Sequence, residues 1–253
     1  MRLFKTPDQE VAQEFLFWLE SSIEKDAKPN KNIKSTYYKP SSLNCLRMMY
    51  FYRTSTEIDE VKRPASSIGV LQSGEDRHLR IQNAITKMKQ NGYDCEWIDV
   101  DTYIKQNNLT NLEVIAKKEY ETTVHNKELD LLFLCDGIVK INNKYFIVEI
   151  KTENSINFYS RKDVAEEHKH QATCYSISFN INNVLFIYEN RDLCSKKVFL
   201  FNVTASLKNQ VINMIESCNK CVKTNKIPMY IPCKSCTYCD YKKKCEALNA
   251  SSL

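Results

Sequence analysis

Residues 131–152 bring together side chains that could do chemistry. They read as two apolar segments on either side of an Asn142-Asn143 pair. Because asparagine tolerates positive φ, the pair predicts a two-residue hairpin turn. With this turn at the centre, counting back along the strands puts Asp136 directly opposite Glu149. Cross-strand neighbours have Cβ atoms about 4.5–5.5 Å apart and point to the same face. The hairpin therefore predicts a pair of neighbouring carboxylates.

Lys151 lies two residues beyond Glu149, so it shares the face of that carboxylate. Neighbouring carboxylates repel one another unless a proton or a cation lies between them. A hard divalent ion such as Mg²⁺, which takes one or two carboxylates plus substrate phosphate, fits this arrangement. The alternative is structural, because D…E-x-K occurs by chance and Glu149 could form a solvated ion pair with Lys151.

The C-terminal segment IPCKSCTYCDYKKKCEA contains a second cluster of chemically active side chains. Cys236, Cys239 and Cys245 have C-x2-C-x5-C spacing, and Cys233 lies one C-x2-C step upstream. Such density indicates thiolate ligation of a metal. Two arrangements remain open: a zinc site made by these four cysteines, or an iron–sulfur cluster that joins the last three to the distant Cys45. Structural zinc sites tend to use two short pairs, so the C-x5-C end fits zinc less well.

The remaining cysteines and the N-terminus bear on the compartment. The chain has 11 cysteines, an odd number, and its first residues, MRLFKTPDQE, lack an apolar signal core. A disulfide framework is therefore not predicted, and a metal site or free thiols are expected. Four further cysteines lie in apolar or mixed stretches and are predicted to be core residues: Cys95, Cys135, Cys174 and Cys194.

Composition excludes several classes of protein. The chain has 253 residues, 43% of them hydrophobic, with 14 Tyr and 11 Phe, which is enough for a core. Its net charge of +5 permits a nucleic-acid partner without requiring one. Only four glycines occur and none forms a phosphate-binding loop, so a Walker or Rossmann nucleotide fold is excluded. Apolar runs are too short for a membrane span. We expect a soluble, cytoplasmic protein with no membrane partner.

Two predicted helices carry stripes that point toward the hairpin. A helix over residues 67–90 places His78 on an inward face, one turn after Gly74, which would let another backbone approach closely. The alternative is a satisfied core histidine. A helix over residues 161–179 carries a half-polar stripe, which indicates the lining of a site: Val164, His168, Gln171 and Tyr175.

The other elements frame these parts. A helix beginning at Pro7 has an apolar stripe predicted to pack on the body of the protein: Val11, Phe15, Trp18, Leu19 and Ile23. A short helix is expected to place Cys45 near its start. Strands are predicted over residues 94–103, 113–123, 184–188 and 197–201, and a helix over residues 206–224 leads into the cysteine tail.

In order, these motifs resemble the PD-(D/E)XK nuclease superfamily, and most closely its RecB-type branch with a four-cysteine iron–sulfur staple. That branch includes CRISPR-adaptation exonucleases of the Cas-four type and the AddB nuclease domain. The resemblance covers most of the chain and rests on these motifs: Cys45, G-x3-H (Gly74, His78), Asp136, E-x-K (Glu149, Lys151), Q-x3-Y (Gln171, Tyr175) and C-x2-C-x5-C (Cys236, Cys239, Cys245).

The resemblance implies a set of roles. Lys151 would position or activate the attacking water, and Gln171 and Tyr175 would orient Lys151 and the DNA backbone. The cluster, expected as 4Fe-4S, would be a staple and not a catalyst. The implied ligands of Mg²⁺ or Mn²⁺ are His78, Asp136, Glu149 and the Ile150 carbonyl.

The sequence departs from the family pattern at two positions. Cys135 precedes Asp136, where proline or an apolar residue is commoner. Cys233 is an extra thiol, which leaves the identity of the fourth cluster ligand open. Tyr241, between Cys239 and the last cysteine, fits the family's usual tail.

The fold implied is α/β, restriction-endonuclease-like, with a mixed central sheet flanked by helices. Both chain ends would form a helical iron–sulfur subdomain. We expect residues 1–66 to be an N-terminal helical segment that contributes one cluster cysteine and residues 67–204 to be the nuclease core. Residues 205–253 would form the C-terminal helix and cysteine tail.

The function implied is a metal-dependent DNA exonuclease acting on single-stranded DNA or DNA ends. Candidate phosphate contacts are Arg161, Lys162, His168, Lys242, Lys243 and Lys244. Three alternatives remain. The first is a non-catalytic DNA-binding adaptor subunit of a recombination or CRISPR-adaptation complex. The others are an RNase or tRNA-directed enzyme, and a redox or metal sensor built on the cysteine tail. The sequence leaves cleavage polarity, exonuclease versus endonuclease action, oligomeric state and pathway open.

Overall fold

The computed structural model describes residues 7–26, 37–55, 64–233, 236 and 239–250. Within them the helices are α1 (Pro7–Asp26), α2 (Leu46–Thr54), α3 (Ala65–Thr86), α4 (Val100–Gln106), α5 (Ser155–Ser160), α6 (Glu166–Phe179), α7 (Ala205–Lys223) and α8 (Lys242–Ala250). The strands are β1 (Cys95–Ile98), β2 (Leu112–Lys118), β3 (Glu121–Asn126), β4 (Leu131–Cys135), β5 (Gly137–Ile141), β6 (Lys144–Glu153), β7 (Asn183–Asn190) and β8 (Lys196–Asn202).

Two sheets form the centre of the protein. The larger has the strand order β1-β5-β6-β7-β8, and the smaller has the order β2-β3-β4. Strands β6 and β7 run parallel, and the other neighbouring strands run antiparallel. Helix α3 covers one face of the larger sheet and α6 covers the other. The predicted α/β class, with a mixed central sheet flanked by helices, is confirmed.

The predicted hairpin is present and its register is as expected. Asn142 and Asn143 form the turn with φ of 45° and 60°, and Ile141 pairs with Lys144. The first apolar segment, however, is divided between two sheets, because β4 pairs with β3 and β5 pairs with β1 and β6. At the break, Gly137 admits the ring of Trp97, since a Cβ there would lie 2.1 Å from a ring carbon.

The two faces of the larger sheet bury different sets of side chains. On the α3 face, the helix packs against the sheet through Ile81, Ile85, Val139, Val148 and Ile150. On the α6 face, aromatic rings dominate the core: Tyr175, Phe179, Phe186 and Tyr188. The side chains of Glu149 and Lys151 belong to the α6 face, as the alternation of β6 requires. A polar region lies between these apolar layers, where β6 passes the end of β5.

Two of the predicted strands have a different structure. Residues 94–103 contain β1 followed by helix α4, because the Asp99 side chain accepts a hydrogen bond from the Thr102 N–H and caps a helix. Residues 113–123 contain parts of two antiparallel strands, β2 and β3. Glu119, with φ of 53°, makes the turn between them. Both errors concern short polar breaks within otherwise strand-like sequence.

The predicted helix over residues 161–179 begins later than expected. Helix α6 starts at Glu166, with Ala165 in an extended conformation as its N-cap, and α5 is a separate helix. Val164 is buried but lies outside the helix, so the predicted stripe holds only for His168, Gln171 and Tyr175. These three side chains therefore share a helix face without Val164.

Helix α1 is the largest departure from expectation. Its apolar stripe was predicted to pack on the body, yet Val11, Phe15, Trp18 and Leu19 are 46–66% exposed. Near the C-terminal end of α1, Glu24 Oε1 accepts a hydrogen bond from the N–H of Ala65. Amphipathic spacing predicts that one face of a helix is suited to burial, but it does not identify the surface that would bury it.

Two smaller expectations are also wrong. A Cβ at Gly74 would lie 3.9 Å from Thr152 Oγ1, an ordinary contact, so this glycine is not required for a close backbone approach. Cys194 is exposed, whereas Cys95, Cys135 and Cys174 are buried as predicted.

Among the helices that the structure describes, none combines the length and apolar character that crossing a bilayer requires.

Candidate active site

Asp136 lies at the junction of the two sheets. In the smaller sheet Thr122 pairs with Cys135, so continuing that register by one residue sets Glu121 opposite Asp136. In the larger sheet Gly137 pairs with Val148, so the same step sets Glu149 opposite Asp136. Three carboxylates thus meet where β4 ends and β5 begins. The predicted pairing of Asp136 with Glu149 agrees with this register.

Helix α3 adds an imidazole to the three carboxylates. His78 Nδ1 lies 3.4 Å from Asp136 Oδ1 and 3.7 Å from Glu121 Oε1. One turn further along, Gln82 Nε2 donates to the Asp136 carbonyl at 2.8 Å and fixes the helix against the junction. The prediction that His78 faces the protein is confirmed. His78, Glu121 and Asp136 each place a ligand atom within 4.8 Å of the other two.

Glu149 and Lys151 form the second half of the site. Lys151 Nζ lies 2.6 Å from Glu149 Oε1 and donates a hydrogen bond to Gln171 Oε1 at 3.1 Å. Glu149 is 2% exposed, and its other oxygen, Oε2, is buried without a hydrogen-bond partner among the described residues. A buried carboxylate oxygen left unpaired is costly unless a ligand satisfies it.

These donors fit a hard divalent cation. Asp136 Oδ2 accepts a hydrogen bond from the Ile150 N–H at 2.7 Å, which leaves Oδ1 turned toward His78. The N–H and C=O of one strand residue point to the same side, so the Ile150 carbonyl also faces Asp136. Carboxylate and carbonyl oxygens suit Mg²⁺ and Mn²⁺, and one imidazole is compatible with Mn²⁺. The residues present therefore fit a magnesium or manganese ion.

The electrostatics of the site match this donor set. Burial, together with the nearby Asp136 charge, raises the pKa of Glu149 to about 7, although Lys151 opposes the shift. Burial disfavours the charged form of His78, but its contacts with Asp136 and Glu121 outweigh burial and raise its pKa to about 10. Burial also disfavours the charged form of Lys151, but the nearby charges of Glu149 and Asp136 outweigh burial and raise the pKa of Lys151. A divalent ion would thus compete with protons for these ligands.

Glu121 is a potential ligand that the sequence did not reveal. It falls inside the stretch predicted as one strand over residues 113–123, which hid the turn before it. The turn before it comes at the end of the polar run Lys117-Lys118-Glu119. That polarity is the only sequence sign of a turn, because the run contains no glycine, asparagine or proline.

Helix α6 positions the side of the site next to Lys151. Gln171 accepts from Lys151 through Oε1 and donates through Nε2 to Tyr175 Oη at 2.6 Å. Tyr175 is buried, and burial raises the pKa of its hydroxyl well above the ordinary value. The chain Lys151–Gln171–Tyr175 therefore holds the ammonium group in place through neutral partners.

His168 is held by Tyr188. His168 Nδ1 lies 2.8 Å from Tyr188 Oη, which also accepts a hydrogen bond from the Ala165 N–H at 3.2 Å. Burial, with Lys151 and Arg161 nearby, lowers the pKa of His168 to about 3. His168 is thus a neutral imidazole near Lys151.

The other predicted DNA contacts lie in varied surroundings. Arg161 is paired with Glu153 and lies over the Tyr188 ring, near the C-terminal end of β6. Lys162 is exposed. Lys244 donates to Ser55 Oγ at 2.7 Å and lies over the Phe51 ring, and Lys242 borders the cysteine cluster. DNA contact by these side chains stays a prediction.

The structure brings Cys45 to the cysteine tail. Cys45 is the N-cap of α2 and lines one cavity together with the tail cysteines Cys236, Cys239 and Cys245. Arg47, the second residue of α2, donates to the Pro228 carbonyl at 2.8 Å and approaches Cys245 Sγ at 3.5 Å. The start of α2 and the C-terminal tail thus meet around four sulfur atoms.

The spacing of these sulfurs exceeds what one zinc ion would require. Zn–S bonds of about 2.3 Å in a tetrahedron put sulfurs about 3.8 Å apart. Within the part of the chain that the structure describes, no three cysteine sulfurs lie within 4.8 Å of one another. Cys233 and Cys236 lie 3.7 Å apart, and Cys233 does not line the cavity. The sulfurs of the four cysteines that line the cavity are therefore not gathered as tightly as they would be around one zinc ion.

Comparisons with known proteins concern the fold. Neither the family models nor the curated proteins include a match to this chain. A solved structure described as SSO0001 matches with a TM-score of 0.50 and 16% identity, covering 94% of this chain and 97% of that one. Two structures of LHK-Exo, an alkaline exonuclease from Laribacter hongkongensis, match at 12% identity over 85% of this chain and 96% of theirs. Their TM-scores are 0.46 for the complex with dAMP and 0.40 for the other structure. At such identities the likeness to SSO0001 concerns the fold alone.

Proposed function

We propose that this protein is a divalent-metal-dependent nuclease that hydrolyses phosphodiester bonds of DNA. The observation that carries the proposal is the buried, unpartnered Oε2 of Glu149 beside Asp136, with Lys151 fixed 2.6 Å from the other oxygen of Glu149. Phosphoryl-transfer chemistry needs carboxylate oxygens that hold a metal ion and a nearby cation that offsets developing negative charge, and this site offers both. His78 and Glu121 complete the proposed ion site, and the Ile150 carbonyl faces it.

Each residue has a distinct part in this proposal. A bound Mg²⁺ or Mn²⁺ supplies Lewis acidity at the scissile phosphate and lowers the pKa of water. Lys151 holds the attacking water and offsets the negative charge that develops on the phosphate. Gln171 and Tyr175 keep Lys151 at that position through the hydrogen bonds described above. None of these roles requires a side chain to move far from its place in the structure.

The proposed substrate is DNA with a single-stranded region or a free end. In its Nε2–H tautomer, His168 would donate to a phosphate oxygen on the Lys151 side. Arg161 and Lys162 lie on the segment before α6, and Arg161 keeps its partner Glu153. The tail lysines, Lys242, Lys243 and Lys244, would contact the backbone farther away. Cleavage polarity and the choice between exonuclease and endonuclease action are not part of the proposal.

We also propose that Cys45, Cys236, Cys239 and Cys245 hold an iron–sulfur cluster of the 4Fe-4S type. The cavity that Cys45 shares with the three tail cysteines supports a joint ligand set, and no three of the described cysteine sulfurs lie as close together as one zinc ion needs. Arg47 at 3.5 Å would offset thiolate charge. With the order of motifs, this would place the chain in the RecB-type branch, beside enzymes of the Cas-four and AddB types. The adaptor alternative is disfavoured because Asp136, Glu149 and Lys151 are all present.

The test uses end-labelled oligonucleotides and anaerobically purified protein. Single-stranded DNA, duplex DNA with blunt ends, duplex DNA with overhangs and RNA of the same sequence are incubated with Mn²⁺ or with EDTA. We expect Mn²⁺-dependent shortening of DNA, with the single-stranded substrate cut most rapidly. Preferential cleavage of RNA would contradict the proposed DNA substrate and identify RNA as the substrate. Binding of DNA with no cleavage in Mg²⁺ or Mn²⁺ would favour the adaptor instead.

Glu121 provides a prediction specific to this structure. Glu121→Gln removes one anionic oxygen facing His78 while keeping the size of the side chain. We expect the Kd for Mn²⁺ to rise at least about tenfold, a loss typical of disturbed metal sites. Titration calorimetry measures it. Glu119→Gln, an exposed change two residues earlier, is the matched control and should leave the Kd unchanged. Equal Kd values for Glu121→Gln and wild type would remove Glu121 from the site.

Metal affinity is expected to rise with pH. The ion needs Glu149 ionised and His78 unprotonated, and their pKa values are about 7 and about 10. Below pH 7 both groups must release a proton, and between pH 7 and 10 only His78 must do so. We expect the Kd for Mn²⁺ to fall by at least about 100-fold from pH 6 to pH 8, because His78 alone must release a proton throughout this range. Calorimetry in buffers of different ionisation enthalpy counts the protons, and an affinity independent of pH would contradict this linkage.

A further inference from the structure

The exposed stripe of α1 is the starting point of the inference. Val11, Phe15, Trp18 and Leu19 recur at helical spacing on one side of the helix and are 46–66% exposed. Phe17 lies on the opposite side and is also exposed. A helix whose apolar stripe is exposed to water gains little stability from packing of that stripe. The stripe is therefore suited to an apolar surface outside its own chain segment.

A second uncovered surface lies on the larger sheet. On the α3 face, Leu185 pairs with Leu200 and Ile187 pairs with Val198 across β7 and β8. Val198 and Leu200 are 59% and 54% exposed, because α3 packs over β5 and β6 and stops short of β8. An antiparallel edge strand can leave one face in water, but here that face presents large aliphatic side chains. We call this surface the β8 strip: Leu185, Ile187, Val198 and Leu200.

The two surfaces carry opposite charge. Helix α1 contains six acidic residues and one basic residue, a net charge of −5, so the remainder of the +5 chain carries +10. At one end of the β8 strip, Arg77, Arg80 and Lys196 surround the fully buried Glu189 at 2.6–3.1 Å, which leaves a local charge of +2. Arg80 and Lys196 are 50% and 40% exposed and are available to a further carboxylate.

We propose that α1 of one copy packs on the β8 strip of a second copy, and that the exchange is reciprocal in a twofold dimer. Both surfaces are exposed when the whole described chain is present, so they do not cover one another within one molecule. The charge of α1 would repel DNA, which excludes nucleic acid as its partner. The two aromatic side chains of its stripe, Phe15 and Trp18, are each more than half exposed. They offer on the order of 250 Å² per copy, and reciprocity doubles that area.

The first measurement is sedimentation velocity of the full chain between about 1 and 100 µM, a range that spans typical weak and strong dimers. Trp18 fluorescence is followed in parallel in a Trp97→Phe background, which leaves Trp18 as the only tryptophan. We expect a dimer, and an emission maximum of Trp18 that moves to shorter wavelength as the dimer forms. A monomer at all concentrations would overturn the proposal. So would Trp18 emission that is blue-shifted and independent of concentration, since α1 would then fold back on its own chain.

Paired variants test the geometry. Trp18→Asp on α1 and Val198→Asp on the β8 strip should each raise the dimer Kd at least about 30-fold. Mixing these two variants keeps one helix–strip contact intact, so heterodimers should form more tightly than either homodimer. Phe17→Asp, on the other side of α1, and Leu134→Asp, on the exposed face of β4, are the matched controls. Dimers unaffected by both interface variants, or disrupted equally by the controls, would contradict the proposed contact.

A charge exchange tests the orientation. Arg80→Glu and Lys196→Glu together should weaken the dimer, and Glu14→Lys on α1 should restore part of the affinity. Rescue requires that the acidic border of α1 meets the basic end of the β8 strip. Absence of rescue, with all variants folded by circular dichroism, would overturn this arrangement. None of these side chains belongs to the proposed metal site, so the outcome is independent of nuclease activity.

Discussion

Replacing Lys151 with alanine is expected to lower kcat for DNA cleavage by at least about 10³-fold, the scale of losing one group that stabilises transition-state charge. Lys151 makes an ion pair with Glu149 and is held by Gln171, so alanine removes the only cation within hydrogen-bond reach of Glu149 among the described residues. Binding of the oligonucleotide should change little, because the proposed role lies in the reaction and not in binding. Single-turnover cleavage of end-labelled DNA in Mn²⁺ measures the effect.

The matched control is Lys144→Ala, in the turn of the same hairpin. Lys144 is exposed and has no part in the site, so its variant should cleave at the wild-type rate. Without Lys151, the pKa of Glu149 should rise further, so Mn²⁺ binding is compared at pH 8 to verify that the ion site survives. A Lys151→Ala protein that binds Mn²⁺ and cleaves DNA at the wild-type rate would rule out the proposed role of Lys151.

Cys45→Ser is expected to abolish the cluster and to lower Tm by about 10 °C. As a ligand, Cys45 would tie residues near the N-terminus to the tail, a loop of roughly 200 residues. Chain entropy gives about 5 kcal/mol for such a cross-link as an upper value, and this corresponds to about 10 °C for a chain of this size. Iron and sulfide content, the visible spectrum near 400 nm and calorimetric Tm are measured on anaerobically purified protein.

Two other cysteine variants distinguish the ligand sets. Cys194→Ser, at an exposed position away from the cluster, should leave iron content and Tm unchanged. Cys233→Ser should keep the iron if Cys45 is the fourth ligand and lose the metal if the four tail cysteines bind it. A colourless protein that contains zinc, and keeps it in Cys45→Ser, would contradict the iron–sulfur proposal while leaving the nuclease proposal untouched.

The sequence was sufficient to predict the hairpin and the inward face of α3. The Asn142-Asn143 turn sets the register, and alternation along two strands then fixes which side chains are opposite one another. This is why Asp136 and Glu149 were paired correctly. The helical stripe of α3 likewise predicted the direction of His78, since one face of that helix is apolar.

The rest of the site depends on contacts between sheets, which local pattern does not encode. Glu121 reaches Asp136 only because the first hairpin segment divides between two sheets, and no turn residue marks the start of β3. Helix α4 was missed because its cap, Asp99, lies within a strand-like run. The exposed stripe of α1 has a different cause: amphipathic spacing specifies a buried face, and a second molecule can supply the surface that buries it.

The central claim is tested most directly by locating Mn²⁺ in crystals of the protein soaked in MnCl₂. Anomalous scattering at the manganese edge marks the ion independently of any assay. We predict one strong peak about 2.0–2.3 Å from ligand atoms of His78, Glu121, Asp136 and Glu149. A peak elsewhere, or none at Mn²⁺ concentrations that support DNA cleavage, would contradict the proposed metal centre and the role of the hairpin.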